Sequence, residues 1–216
     1  MNVSGLLGDD TITGSSSDDT LDGGDGLDVL TQASDSDQVL TNTTLTGHGN
    51  DTHSSFERVQ LTGGVGDNLL DAGSYTIGVV TLDGDDGNDT LIGGQGDDTL
   101  VGGDGTDQVE QLANGDQVLT NTQLTGRGVD TLSSIESGRL SGGSAANLLT
   151  AETFTHGPAT LDGGSGDDTL VGSPASDSLA GGSGTDRVRQ TADNAQVATA
   201  TQLTGHGTAA VSYTHL

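Results

Sequence analysis

The sequence predicts an all-β fold, a right-handed parallel solenoid of about four coils in every 79 residues, and three observations lead there. The chain repeats itself: the string from Asp37 to Thr43 returns at 116–122, and Gly23-Gly24-Asp25-Gly26-Leu27-Asp28 returns at 102–107 and 181–186, always at a multiple of 79. Inside that period runs a beat of nine, with Asp at the sixth place and an aliphatic residue at the eighth. Self-similarity of this kind marks a stacked-repeat architecture. Finally, 37 of the 216 residues are glycine and only four are aromatic (Phe56, Tyr75, Phe154, Tyr213), a poor stock for a deep globular core.

Taken in order, a first cassette at 5–31 holds nonapeptides starting at Gly5, Gly14 and Gly23, and linking coils follow at 32–83. A second cassette at 84–110 starts its units at Gly84, Gly93 and Gly102, with linking coils at 111–162. The third, at 163–189, starts them at Gly163, Gly172 and Gly181 and leads into 190–210. The whole of 1–210 reads as a single repetitive domain. Taken one per coil, the sixth-place residues Asp10, Asp28, Asp51, Asn68, Asp89, Asp107, Asp130, Asn147, Asp168 and Asp186 form one column, spaced 18, 23, 17 and 21 residues in rotation. Residues 211–216, Val-Ser-Tyr-Thr-His-Leu, break the register and read as a translated sequencing-library adapter, so they stand outside the fold reasoning.

Glycine at places one, two and four lets six residues turn sharply, and three residues such as Thr-Leu-Val then make a short strand. Alternation points the eighth place inward. Ile12, Leu30, Leu91, Val109, Leu132, Leu170 and Val188 are expected to stack, with Leu21, Leu100 and Leu179 opposite. Stacking at about 4.8 Å brings each sixth-place carboxylate over the next, where two charges repel by about 3 kcal/mol at an effective dielectric of 20. Summed along a column, that rivals a domain's stability of roughly 5–15 kcal/mol, so a counter-ion is required. Carboxylates and glycine-rich carbonyls are flexible all-oxygen ligands, which suit calcium better than magnesium or the N- and S-seeking metals. Binding energy would then be folding energy.

Gly93-Gly-Gln-Gly-Asp-Asp-Thr-Leu-Val101 and its neighbours resemble the GGxGxDxUx nonapeptides of the RTX, or haemolysin-type calcium-binding, family. The resemblance implies a parallel β-roll with calcium between the turns of successive coils. The turns it pairs are Gly5–Asp10 with Gly23–Asp28, Gly84–Asp89 with Gly102–Asp107, and Gly163–Asp168 with Gly181–Asp186. The metal ligands it indicates are Asp10, Asp28, Asp89, Asp107, Asp168 and Asp186, with Asp19, Asp98, Asp51 and Asp130 and the carbonyls of Gly84, Gly102, Gly163 and Gly181. It further implies a fragment of a larger secreted protein, extracellular or at the cell surface, exported by a type I secretion apparatus. Adhesins, toxins and exoenzymes carry such arrays.

Other functions are excluded or disfavoured by composition. Thirty-two acids against five arginines, with no lysine, give a net charge of -27, which rules out nucleic acid and anionic membranes as partners. No run of 18 apolar residues spans a membrane, and no basic stretch followed by an apolar one forms a signal peptide at the start. With no cysteine, disulfides and thiolate sites are excluded. No nucleophile motif stands on a strand-to-helix turn, so no catalytic constellation is expected in this stretch. A β-helix polysaccharide lyase or epimerase-like module needs a cationic base or clamp, and Arg58, Arg127, Arg139, Arg187 and Arg189 do not recur at matching places. A calcium-dependent ice-binding solenoid needs ranked threonines, whereas the seventh place carries threonine only on alternate coils. His53, at an inward place matched by Leu132, marks a locally loosened coil.

Overall fold

Strands appear wherever a β-branched or aliphatic triplet follows a glycine turn. A computed structural model describes residues 1–189 and 210–211, and all of its regular structure is β. The early strands are β1 (Asn2–Ser4), β2 (Thr11–Thr13), β3 (Thr20–Asp22), β4 (Val29–Ala33), β5 (Gln38–Thr41), β6 (Thr44–Thr46), β7 (Asn50–Ser54) and β8 (Arg58–Gly64). Next come β9 (Leu69–Ser74), β10 (Val79–Asp85), β11 (Thr90–Ile92), β12 (Thr99–Val101), β13 (Gln108–Leu112), β14 (Gln117–Thr120), β15 (Gln123–Thr125) and β16 (Val129–Ser133). The last are β17 (Ser137–Ser141), β18 (Leu148–Thr153), β19 (Ala159–Asp162), β20 (Thr169–Val171), β21 (Ser178–Ala180), β22 (Arg187–Arg189) and β23 (Ala210–Val211). Of the adapter-like stretch 211–216, only Val211 is described; it lies in β23, paired in parallel with β22. Residues 212–216, and 190–209 of the last linking coil, lie outside the described residues.

The chain divides into two units: Met1–Val109 with Arg127–Ile135, and Glu110–Gly126 with the described part of Glu136–Leu216. In the first unit one sheet runs β1-β3-β7-β6-β5-β9-β11-β13 and the other β2-β4-β8-β10-β12-β16. Strands from successive coils pair in parallel, as β2 with β4 and β10 with β12. In the second unit β17-β19-β21 form one ladder and β15-β14-β18-β20-β22-β23 the other. This is the parallel β-roll architecture.

Two departures from strict coiling reorganise the expected columns. Residues 38–54 do not make a coil. They fold as an antiparallel meander, β5-β6-β7, lying wholly in the first sheet. From β4 to β13 the chain therefore changes sheet seven times in the 79 residues between Leu30 and Val109, three and a half coils. The half-coil moves the second cassette to the other sheet, so the single sixth-place column does not exist. Asp10 and Asp28 precede strands of the second sheet, whereas Asp89 and Asp107 precede strands of the first. The aliphatic columns change likewise: Ile12 aligns with Leu30 and Val59, Leu91 with Leu70 and Val109, and Leu100 sits directly between Leu82 and Leu132. Outside, Thr81, Thr99 and Thr131 are neighbours on three consecutive strands, against the alternate-coil spacing expected; Gln60 ends the row.

Inside, Leu21, Leu30, Leu61, Leu82, Leu91 and Leu100 are wholly buried. The meander is anchored by glutamine: Gln38 Nε2 donates to Thr62 O at 2.7 Å, and Gln32 Nε2 donates to Gln38 Oε1 at 3.0 Å. In the second unit Gln117 and Gln111 make the same bonds, to Ser141 O at 2.7 Å and to Gln117 Oε1 at 3.0 Å. The strand at His53 is closely packed, and of the two ring nitrogens only the buried Nδ1 lacks a hydrogen-bond partner. His53 is buried with Nε2 3.0 Å from Thr41 O, its ring packs beside Phe56 and Tyr75, and the Tyr75 hydroxyl donates to Phe56 O at 2.6 Å. Burial pushes its pKa down, so the ring is held neutral.

Candidate metal centres

Most sixth-place aspartates have one oxygen fixed by the main chain of the preceding coil, whereas Asn68, Asn147 and Asp19 are held by N–H groups of their own turns. Asp10 N–H donates to Asp28 Oδ1 at 2.8 Å, Asn68 N–H to Asp89 Oδ1 at 2.7 Å, and Asp89 N–H to Asp107 Oδ1 at 2.8 Å. Asp19 N–H reaches Asp51 Oδ1 at 2.8 Å and Asp98 N–H reaches Asp130 Oδ1 at 3.0 Å. In the second unit the rungs are Asn147 N–H to Asp168 Oδ1, 2.8 Å, and Asp168 N–H to Asp186 Oδ1, 3.0 Å. The turns themselves stack through isolated parallel bridges between Leu7 and Asp25, Asp86 and Asp104, and Ser165 and Ser183.

The second carboxylate oxygen is the chemically telling one. The buried Oδ2 atoms of Asp10, Asp28, Asp51, Asp89 and Asp168 have no hydrogen-bond partner. Each faces the bare side of a glycine. The point where a Cβ on Gly5 would sit is 2.4 Å from Asp10 Oδ2 and 2.4 Å from Gly23 O. On Gly84 that point is 2.2 Å from Asp89 Oδ2 and 2.4 Å from Gly102 O, and on Gly163 it is 2.4 Å from Asp168 Oδ2 and 2.5 Å from Gly181 O. A carboxylate of one turn and a carbonyl of the next thus converge on space that any larger residue would fill. Beside Gly23 and Gly102 the carbonyl comes instead from Ser55 and Ser134, 1.9 Å from the corresponding point in each case.

These donors fit a hard cation. A buried charged acceptor without a partner costs about 1–3 kcal/mol or more, and oxygen-only surroundings with backbone carbonyls match calcium's preference for six to eight flexible oxygen ligands. Burial pushes the carboxyls of Asp51, Asp89 and Asp168 above their ordinary pKa, and that of Asp130 up to about 6, so ionisation is costly until a positive charge arrives. Among the described residues no three His, Cys, Asp or Glu side chains gather into one centre. One carboxylate per turn leaves the balance of any coordination to carbonyls.

The sequence profile of the RTX calcium-binding nonapeptide repeat matches residues 2–39, 81–109 and 158–189, in four copies. These are RTX calcium-binding nonapeptide repeats. The matched segments of the RTX array contain all three stacked turn pairs, and the repeats imply calcium as the ion. No curated protein matches the chain. Among the described residues no helix is long and apolar enough to cross a membrane.

Not every Asp of the RTX array presents an unpartnered oxygen. Asp98 Oδ2 accepts from Gly94 N–H at 2.7 Å and its Oδ1 from Val80 N–H at 2.8 Å. Asp19 Oδ2 accepts from Ser15 N–H at 2.7 Å and Ser15 Oγ at 2.9 Å. Asp51 lies beside Asp19 in the first sheet and Asp130 beside Asp98 in the second, so each adjoins the middle nonapeptide of a cassette and not the Asp10–Asp28 or Asp89–Asp107 row. Glu57, which the nonapeptide pattern does not single out, ends the first row by accepting from Asp28 N–H at 2.9 Å. Its signal is the string Ser54-Ser55-Phe56-Glu57 returning as Ser133-Ser134-Ile135-Glu136.

Proposed function

We propose that this chain is a calcium-binding RTX array whose folding is coupled to the ion, and that it serves as a fragment of a larger secreted protein. The reading rests on the buried Oδ2 atoms of Asp10, Asp28, Asp51, Asp89 and Asp168, each without a partner. Those of Asp10, Asp89 and Asp168 face a carbonyl of the next coil across a glycine. The ligands proposed are these carboxylates with Asp107, Asp130 and Asp186 and the carbonyls of Gly23, Gly102 and Gly181. A calcium ion bound there would supply positive charge to carboxylate and carbonyl oxygens that the fold brings together. Calcium is scarce in the cytosol and abundant outside, where modules bind with dissociation constants on the order of 10⁻⁴ to 10⁻³ M. Such a chain stays open during type I export and closes on arrival, in an adhesin, a toxin or an exoenzyme.

The test is far-UV circular dichroism in chelator and in millimolar calcium, with magnesium as the control. Strand signal that grows with calcium and not with magnesium is expected; equal strand content in chelator would refute the coupling.

A further inference from the structure

The turns of the array fall into two backbone states, and the state decides whether the sixth-place side chain has an oxygen to offer. In the turns leading to Asp10, Asp28, Asp89, Asp107, Asp168 and Asp186, the second residue is left-handed: Leu6 at φ 75°, Gly24 at 101°, Asp85 at 71°, Gly103 at 106°, Gly164 at 85° and Gly182 at 90°. The turns to Asp51 and Asp130 share this state through Gly47 at 114° and Gly126 at 141°. Leu6 and Asp85 hold it without being glycine, at a steric cost that an ordinary turn would avoid. Their carbonyls are tied to the next coil, Leu6 O accepting from Asp25 N–H and Asp85 O from Asp104 N–H, both at 2.8 Å.

The second residues Ser15, Gly64, Gly94 and Gly143 are not left-handed, and there the second residue's own N–H closes onto the sixth-place side chain. Ser15 N–H and Gly94 N–H bond the Oδ2 of Asp19 and Asp98, both at 2.7 Å. Gly64 N–H bonds Asn68 Oδ1 at 2.9 Å, and Gly143 N–H bonds Asn147 Oδ1 at 3.1 Å. Asparagine stands in this state twice, which fits a position that needs an acceptor and no charge. The turn at Asp98 carries a further closure. Arg127 Nη2 donates to Gly73 O at 2.6 Å, and the Gln95 side-chain oxygen accepts from Arg127 Nε at 2.8 Å in the amide orientation that satisfies both groups.

We infer that calcium is taken only by the left-handed turns, and that the Asp19, Asn68, Asp98 and Asn147 turns are self-closed spacers that take no ion. The inference rests on the calcium reading above and narrows it. Its sharpest consequence falls on the unit at Gly93–Val101, which matches the family pattern yet would take no ion at Asp98.

The experiment counts calcium bound per chain by equilibrium dialysis in wild type, Asp98→Asn, Asp89→Asn and Asn68→Asp. Asparagine at 98 keeps the acceptor that Gly94 requires, as Asn68 does for Gly64, and gives up the bond from Val80 N–H, so far-UV circular dichroism at saturating calcium checks that each variant is folded before its ions are counted. Expected is an unchanged count in Asp98→Asn and Asn68→Asp and the loss of at least one ion in Asp89→Asn. Loss of an ion in Asp98→Asn, or gain of one in Asn68→Asp, overturns the inference while leaving calcium binding intact. A wild-type chain that binds no calcium overturns the calcium reading itself, and is recognised because all four chains are then equally empty.

Discussion

Gly8 and Gly103 separate two reasons for glycine in these turns. Both have positive φ, 102° at Gly8 and 106° at Gly103. A Cβ at Gly8 meets nothing within 4 Å, whereas one at Gly103 falls 1.9 Å from Asp85 O. Gly8→Ala therefore pays only the left-handed backbone penalty, about 1–2 kcal/mol. Gly103→Ala adds a collision with a backbone oxygen more than 1 Å inside the closest tolerated approach of 3.0 Å. Relief requires the second cassette's two turns to separate, which draws Gly102 O away from Asp89 Oδ2. The combined cost should reach about 3 kcal/mol or more, within the range of severe single substitutions. Both substitutions lie in the same unit, so urea midpoints at saturating calcium compare them directly. Gly103→Ala should also raise the calcium concentration needed for half-folding, and Gly8→Ala should do so less. Equal destabilisation by the two would show that stacking distance between turns is not what the glycines protect.

Two further outcomes follow from the geometry. In chelator the fold should gain stability as the pH drops. Asp130, raised from 3.8 to about 6 chiefly by burial, binds its proton more tightly when folded. Its contribution, about 3 kcal/mol for about two pH units, is present below the unfolded value and lost as pH rises through the folded one, with Asp51, Asp89 and Asp168 shifted in the same direction. Far-UV circular dichroism of the calcium-free chain near pH 4 and pH 7 checks this, and more strand signal at neutral pH would contradict it. Gln38→Leu should destabilise the first unit by about 2–5 kcal/mol, because Thr62 O and Ser34 O lose their buried donor and Gln32 loses an acceptor. A calcium-saturated urea midpoint within error of wild type would show the glutamine anchor to be dispensable.

Much of the fold was legible because a nonapeptide fixes its strand and its turn locally. The triplets at Thr11, Thr90, Thr99 and Thr169 became strands with the eighth-place residue buried. The linking segments were harder to read. Residues 38–54 carry an alternation that suits any strand direction, and only the short breaks at Asn42-Thr43 and Gly47-His48-Gly49 signal the two reversals. Missing those reversals misplaces every later residue by half a coil, which is why the columns of Asp89 and Leu91 were assigned to the wrong sheet. At the site, residue type revealed the carboxylates but not which oxygens remain unpartnered. Asp98 and Asp89 occupy the same place in similar strings, and the backbone state of the residue four positions earlier distinguishes them.

The odd number of sheet changes between Leu30 and Val109 gives the module a parity. Inserting or deleting one 79-residue module would send whatever follows out through the opposite sheet, while a change of two would restore its original side. Length variation in such arrays is therefore a choice of facing as well as of reach, and a lineage that must keep a downstream segment on one side would gain and lose these modules in pairs.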